Sequence, residues 1–206
     1  MRFFALEGID GCGKTTAATL LDVKLHQAGY PHTLRVHDPG GTLAGEALRK
    51  LLKDKAIPIN GPVGALIVTA SKCQLLSEVI EPVTLAYPDV IIIADRWWPS
   101  TFAYRYWLDE KIIEQLLPFC PLQPELYIWL DVPLGIGRGR LASVMKQSDR
   151  FESEGSTFYK RVHEKYQSMY QRNFLAPWRR VDATGFAVDV AKQVWSIVKE
   201  QLNERA

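Results

Sequence analysis

Phe3-Phe4-Ala5-Leu6-Glu7-Gly8-Ile9-Asp10-Gly11-Cys12-Gly13-Lys14-Thr15-Thr16 is the stretch that decides the fold. A short apolar run ends in Gly-x-x-x-x-Gly-Lys-Thr, from Gly8 to Thr15, and helix-forming residues follow. Strand, loop and helix in that order are what a phosphate-binding loop requires. Gly8, Gly11 and Gly13 let the backbone curl so that successive N–H groups converge on a phosphate. A helix opening at Lys14 adds the positive end of its dipole. Lys14 is placed to neutralise β- and γ-phosphates, and the Thr15 hydroxyl to ligate Mg²⁺. A glycine-rich turn with a chance lysine would lack the flanking strand and helix. The loop, with Ile9, Asp10, Cys12 and Thr16 completing it, reads as a site for a nucleoside triphosphate.

The rest of the chain is consistent with a single α/β domain over 1–206. An apolar fraction of 47 % in 206 residues is ample for one core. A net charge of +2 without a long basic stripe argues against a general nucleic-acid binder. Cys12, Cys73 and Cys120 are an odd set without a C-x-x-C pair, which fits neither a disulfide framework nor a zinc site and suits a reducing cytoplasm. Met1-Arg2 leads straight into the first strand, leaving no room for a signal peptide, and the purely apolar runs are too short to span a membrane.

Helical stripes are expected at 15–28, 43–52, 65–85, 101–117, from 134, from about 157 with Ser156 as cap, and from 186. Strands are expected at 31–36, 90–94, 126–131 and 178–182. Val90-Ile91-Ile92-Ile93-Ala94 is rich in β-branched residues throughout, as in a central parallel strand buried on both faces. Strict alternation of strands and helices predicts a parallel sheet with helices on both sides.

In such sheets ligands sit beyond the carboxyl ends of the strands. Asp10, Asp38-Pro39-Gly40-Gly41-Thr42, Asp95-Arg96 and Asp131 all fall at such ends. Asp95, ending a buried apolar strand, is the candidate carboxylate behind Mg²⁺, with a helix N-cap as the alternative. For Asp131, ahead of Val132-Pro133, the cap is the better reading. Arg96 is suited to a second phosphoryl group through its planar fork, a surface salt bridge being the plainer alternative. Arg138-Gly139-Arg140 and Asp149-Arg150-Phe151-Glu152 bracket a polar stretch that reads as a lid over about 138–155. A switch GTPase would need Asn-Lys-x-Asp, and the chain has none.

In this order these motifs resemble the thymidylate kinase family of P-loop nucleoside-monophosphate kinases. The opening loop, Asp38-Pro39-Gly40-Gly41-Thr42 with Leu48-Arg49, Asp95-Arg96-Trp97-Trp98-Pro99-Ser100-Thr101-Phe102-Ala103-Tyr104, Pro124-Glu125-Leu126 to Leu130-Asp131-Val132, Asp149-Arg150-Phe151-Glu152 and Val181-Asp182-Ala183-Thr184 carry the likeness over nearly the whole chain. The resemblance implies a P-loop NTPase three-layer fold with a five-stranded parallel sheet flanked by helices and a short lid. It also implies ATP-dependent phosphorylation of dTMP to dTDP, Mg²⁺, and usually a homodimer. By motif position Asp10, Asp38, Arg49 and Arg96 would surround the acceptor, Tyr104 would sit against its deoxyribose, and Asp182 would border the adenine. Cys12 stands where some members carry a basic residue, so the charge would come from Arg138, Arg140 and Arg150. Val68 and Lys72 stand where the family usually has a base-stacking Phe and a base-reading Arg, while Gln74 is kept. Trp97 or Trp98 is the substitute stacking surface expected here.

Overall fold

A computed structural model describes residues 1–105, 107–144 and 155–204. Among them the chain alternates β1 (Arg2–Glu7), α1 (Lys14–Gln27), β2 (Thr33–His37), α2 (Leu43–Lys53), α3 (Gly61–Leu75), α4 (Glu81–Ala86), β3 (Ile91–Asp95), α5 (Trp98–Ala103), α6 (Glu110–Glu114), β4 (Leu126–Asp131), α7 (Leu134–Val144), α8 (Ser156–Gln171), β5 (Trp178–Asp182) and α9 (Ala187–Asn203). The strands form one parallel five-stranded sheet in the order β2-β3-β1-β4-β5. Burial follows that order. The inner strands β1, β3 and β4 are buried along nearly their whole length, whereas the edge strands β2 and β5 alternate with exposed positions. This is the difference between a strand covered on both faces and one that meets solvent.

α1 packs on α9 and on β1, β2 and β3, α5 packs on α8, and α2 pairs with α3. The main core runs through Phe3, Phe4, Leu6, the Ile91–Ile93 run and Ile128, while Leu52, Ile67 and Val68 make a small second core between α2 and α3. Asn60 caps α3 by accepting from the Val63 N–H at 2.9 Å, with Pro62 in the first turn, and Thr42 caps α2 by accepting from the Gly45 N–H.

The expected single helix over 65–85 is interrupted. A π-helical turn, Leu76–Ile80, joins α3 to α4. Pro82 follows it with no N–H to donate and a ring that crowds the carbonyl four residues back, so a regular α-helix does not continue through this point. The helical run Gly61–Ala86 is long and apolar enough by composition to cross a membrane, with mean hydropathy 1.4. Its buried Ala65, Val68, Leu75 and Ile80, however, serve the protein's own core. The expected helix over 101–117 divides into α5, α6 and a 3₁₀ turn at Leu117–Phe119. Ser156 is the first residue of α8, and Gly155 occupies the cap.

Candidate active site

Gly8 opens the loop after β1 with φ 141°, and a side chain there would meet Leu130 O and Cys12 Sγ. Gly11, at φ 78°, lies against the Gly137 backbone of α7, where any Cβ would overlap the carbonyl. Only glycine meets both demands, so the loop is pressed onto β4 and α7 by its lack of side chains. Lys14 is buried and bridges the loop, donating to Ile9 O at 3.0 Å and Gly8 O at 3.2 Å. Its ammonium also lies 3.6 Å from Cys12 Sγ. Burial pushes the Cys12 thiol up, so this cysteine packs as an apolar residue rather than serving as a nucleophile.

Thr15 Oγ1 donates to Asp95 Oδ2 at 2.5 Å. The hydroxyl and the carboxylate thus meet at the carboxyl ends of β1 and β3, and Trp97 rather than Asp95 occupies the cap position of the helix that follows, without a side-chain capping bond. Two hard oxygen ligands beside a phosphate loop suit a Mg²⁺ held mainly by substrate phosphates and water. No larger His/Cys/Asp/Glu cluster able to hold a metal occurs among the described residues.

Arg96 adopts φ 74°, a left-handed conformation that is uncommon for a residue with a side chain. The backbone on both sides is tied down: Arg96 N–H donates to Leu6 O at 3.0 Å, and Trp97 N–H donates to Glu7 Oε1 at 2.7 Å. Glu7 is fully buried in β1 and also accepts from Ser100 Oγ and Tyr166 OH. Burial raises the Glu7 carboxyl above the usual range, against these donors and the nearby Arg96 charge. A carboxylate in an otherwise apolar strand therefore sets the strained turn that aims Arg96.

The Arg96 guanidinium donates to Gly8 O at 2.9 Å, Ser100 Oγ at 3.0 Å, Asp10 Oδ1 at 2.5 Å and Tyr104 OH at 2.9 Å. It also lies 4.8 Å over the Tyr104 ring. Tyr104 and Tyr159 both donate to Asp10 Oδ2, at 2.8 and 3.2 Å. Burial by itself would raise the Asp10 carboxyl, but Arg96 and Lys14 hold it down at about 2. Its folded value lies below the ordinary 3.8, so the stability it contributes is present above about pH 4 and lost as pH falls through 2. In Asp10→Asn the gap in Tm to the wild type should shrink between pH 5 and pH 2, as measured by thermal melts across that range. A constant gap would contradict the ion pair.

These groups share one cleft of about 770 Å³, lined by Lys14, Thr15, Asp95, Arg96, Arg49 and Arg140 among others. Six basic side chains (Lys14, Arg35, Arg49, Lys53, Arg96, Arg140) face three carboxylates (Asp10, Asp38, Asp95) there, a positive balance suited to bound polyanions. Arg49 is held by donating to Pro39 O at 2.9 Å. A smaller cavity of about 90 Å³ shares Asp10, Asp38, Arg49, Lys53 and Arg96 with this cleft and is lined besides by Val68, Thr101 and Arg105. On the other side of the loop Cys12, Gly13, Thr16, Arg140 and the exposed Phe186 line a third recess. Arg140 clamps the turn after β5 by donating to Ala183 O, Thr184 O and Gly185 O at 2.8, 2.9 and 3.0 Å. Asp182 caps that same turn through the Thr184 N–H.

Several expected positions differ. Lys72 is fully buried, ion-paired to Asp38 Oδ2 and seated 4.4 Å and 5.0 Å over the Trp97 and Trp98 rings. Both indoles are themselves wholly buried, Trp97 edge-on to Phe3, so neither offers a face to a ligand. Gln74 donates to Glu78 along its own helix at 2.7 Å. Lys72, Gln74 and Trp97 therefore support the walls rather than line the clefts, because the Asp38 carboxylate draws the lysine inward. Asp131 is not the expected cap either: Arg180 Nε donates to one of its oxygens at 2.8 Å and His163 Nε2 lies 2.7 Å from the other. Val68 does line the small cavity. Arg138 is exposed on α7, and Arg150, with residues 145–154 of the expected lid, lies outside the described residues. Glu7, Tyr159, Tyr166, Thr101, Arg105 and Phe186 escaped the reading of the sequence. Only Glu7, a lone acid in an apolar strand, carried a local signal.

A central glycine-rich loop with its lysine, in a parallel sheet ordered β2-β3-β1-β4-β5, puts the chain among the P-loop phosphotransferases. Within that class it belongs to the thymidylate kinase family, whose model matches residues 6–194. A thymidylate kinase of Synechococcus sp. (strain JA-2-3B'a(2-13)) is 36 % identical over 207 residues, covering 97 % of this chain and 95 % of the relative. One from Synechococcus sp. (strain JA-3-3Ab) is 37 % identical over 97 % of this chain and 96 % of its own length. Another, from Psychrobacter sp. (strain PRwf-1), is 33 % identical over 98 % of both.

Proposed function

We propose that the chain transfers the γ-phosphoryl group of ATP to dTMP, giving dTDP and ADP, in the service of deoxynucleotide biosynthesis. The observation that carries this reading is the single cleft in which Lys14 and Thr15 face Arg49 and Arg96. The acceptor is a phosphate monoester with a second pKa of about 6, already a nucleophilic dianion at neutral pH. It needs no general base; it needs its repulsion from the donor offset and its oxygen held in line. The loop N–H groups and Lys14 would hold the donor phosphates, and Arg49 and Arg96 the acceptor phosphate. Asp10 would fix Arg96, while Arg138, Arg140 and Arg150 would add charge as the lid excludes water. Thr15 and Asp95 would hold Mg²⁺, which when bound neutralises charge on the β- and γ-oxygens. Tyr104, buried against Arg96, would crowd the sugar and disfavour a 2′-hydroxyl.

The helical run Gly61–Ala86 leaves Val63, Leu66 and Leu85 exposed, apolar surface that a homodimer would cover. Cytoplasmic residence accords with three free cysteines. Nucleotides are the expected partners, rather than nucleic-acid polymers or a membrane. The closest rival is a deoxynucleoside kinase using Asp38 as base toward a hydroxyl. Comparing the two acceptors separates them: turnover of dTMP with no turnover of thymidine is expected, and turnover of thymidine alone would overturn the reading.

A further inference from the structure

The small cavity has one end made for phosphate and another made for something else. Asp10, Asp38, Arg49, Lys53 and Arg96 are shared with the main cleft and mark the first, while Val68, Thr101 and Arg105 line the small cavity alone and mark the second, with Pro39 and Leu52 as apolar walls. Arg105 is only 5 % exposed, and among the described residues its guanidinium donates to Gly64 O alone, at 2.6 Å. An arginine carries five donors in a fixed fork, so the remaining ones are available to whatever fills the cavity. Gly64 makes this placement possible, since a Cβ there would lie 3.1 Å from both Nε and Nη2 of Arg105.

Two more buried polar atoms belong to residues of this cavity. Asp38 Oδ1 and Thr101 Oγ1 are buried without a partner among the described residues, and both residues line the cavity. Buried polar atoms seldom lack a partner unless a ligand or water supplies one. Lys72 cannot serve here, because its ammonium is engaged by Asp38 Oδ2 and the two indoles.

We infer that Arg105 is the specificity-determining residue for the acceptor base, donating to the carbonyl at ring position 4 of a pyrimidine while Asp38 Oδ1 accepts from the neighbouring ring N–H. The inference rests on the proposed dTMP reading. With the phosphate anchored at Arg49 and Arg96, the 4-substituent is the ring group farthest from it, and Arg105 lines the part of the cavity that the main cleft does not share. A carbonyl next to an N–H matches a guanidinium next to a carboxylate. A 4-amino ring reverses both dipoles, setting an N–H₂ against the guanidinium and a lone pair against the carboxylate.

The test uses the purified full chain with ATP, Mg²⁺ and three acceptors: dTMP, dCMP and the deoxyribonucleotide of 2-pyrimidinone, which lacks the 4-oxo group. Arg105→Gln should raise KM for dTMP by about 10- to 100-fold, as for loss of a charged hydrogen bond, with kcat nearly unchanged. It should leave KM for the 2-pyrimidinone nucleotide almost unmoved and narrow the preference for dTMP over dCMP. Arg105→Lys should recover part of the loss. Gly64→Ala, which keeps every polar group but displaces the guanidinium, should show the same pattern on a smaller scale and serves if Arg105→Gln folds poorly. Equal weakening of dTMP and the 2-pyrimidinone nucleotide would mean that Arg105 acts only as a brace for Gly64, and would overturn the inference. Wild-type turnover of dTMP with an unchanged KM in Arg105→Gln would overturn it alone. A wild type inert toward dTMP would overturn the functional reading beneath it.

Discussion

Arg96→Ala lowers kcat for dTMP phosphorylation by at least about 10²-fold, the scale on which removal of one preorganised electrostatic donor acts in other enzymes. The reason lies in how much positions this one side chain. Its backbone is held at φ 74° by Leu6 and Glu7 across the sheet, and its guanidinium is fixed by Gly8 O, Ser100, Tyr166, Tyr104 and Asp10. Burial works against its charge while Tyr104, Asp10 and Tyr166 favour it, leaving it protonated at every accessible pH. An acceptor phosphate bound there would therefore meet a cation that needs no reorganisation when charge shifts in the transition state. Truncation also leaves Asp10 facing two tyrosines without its counter-charge, so Tm should fall as well. Arg96→Lys, keeping charge but not the fork, should restore stability more than turnover. Steady-state kinetics beside thermal melts check both effects, and near-normal kcat in a folded Arg96→Ala protein would remove Arg96 from the mechanism.

Lys14→Ala should cost at least as much in kcat, for a different reason. Lys14 bridges Gly8 O and Ile9 O, so the same ammonium shapes the loop and would carry the charge that donor phosphates meet. Cys12 beside it contributes no charge, and Arg140, though it lines the same cleft, is anchored to the turn after β5 and not to the loop. The donor half thus has few substitutes for Lys14. Weaker binding of ATP should accompany the lost turnover, measurable with a fluorescent ATP analogue. Unchanged donor affinity together with unchanged kcat would contradict the donor role.

The loop and the alternation of elements were legible because both rest on local chemistry: glycines at positive φ, a lysine at a helix start, and β-branched runs in inner strands. The approximate place of every strand followed from that. What escaped was set by contacts far apart in the chain. Lys72 reads as a ligand residue until Asp38, on another element, takes its charge. Trp97 and Trp98 read as free aromatic faces, but their indole N–H groups donate to Leu122 O and Cys120 O and bind them into the core. Asp131 resembles a cap in sequence, yet Arg180 and His163 reach it from β5 and α8. Tyr159 and Tyr166 sit in a stripe that periodicity assigns to packing, and only the fold shows that their hydroxyls reach Asp10 and Glu7. Periodicity predicts burial, not which polar tip a buried tyrosine presents.

A nucleoside-monophosphate kinase brings two phosphate-bearing nucleotides together and moves a phosphoryl group between them. The most direct measurement is ion-exchange separation of products after incubation with ATP, Mg²⁺ and each of a panel of nucleoside monophosphates and nucleosides. The expected products are dTDP and ADP in equal amounts, formed fastest with dTMP and not at all without an acceptor. ADP released at the same rate with or without dTMP, and no dTDP, would contradict it.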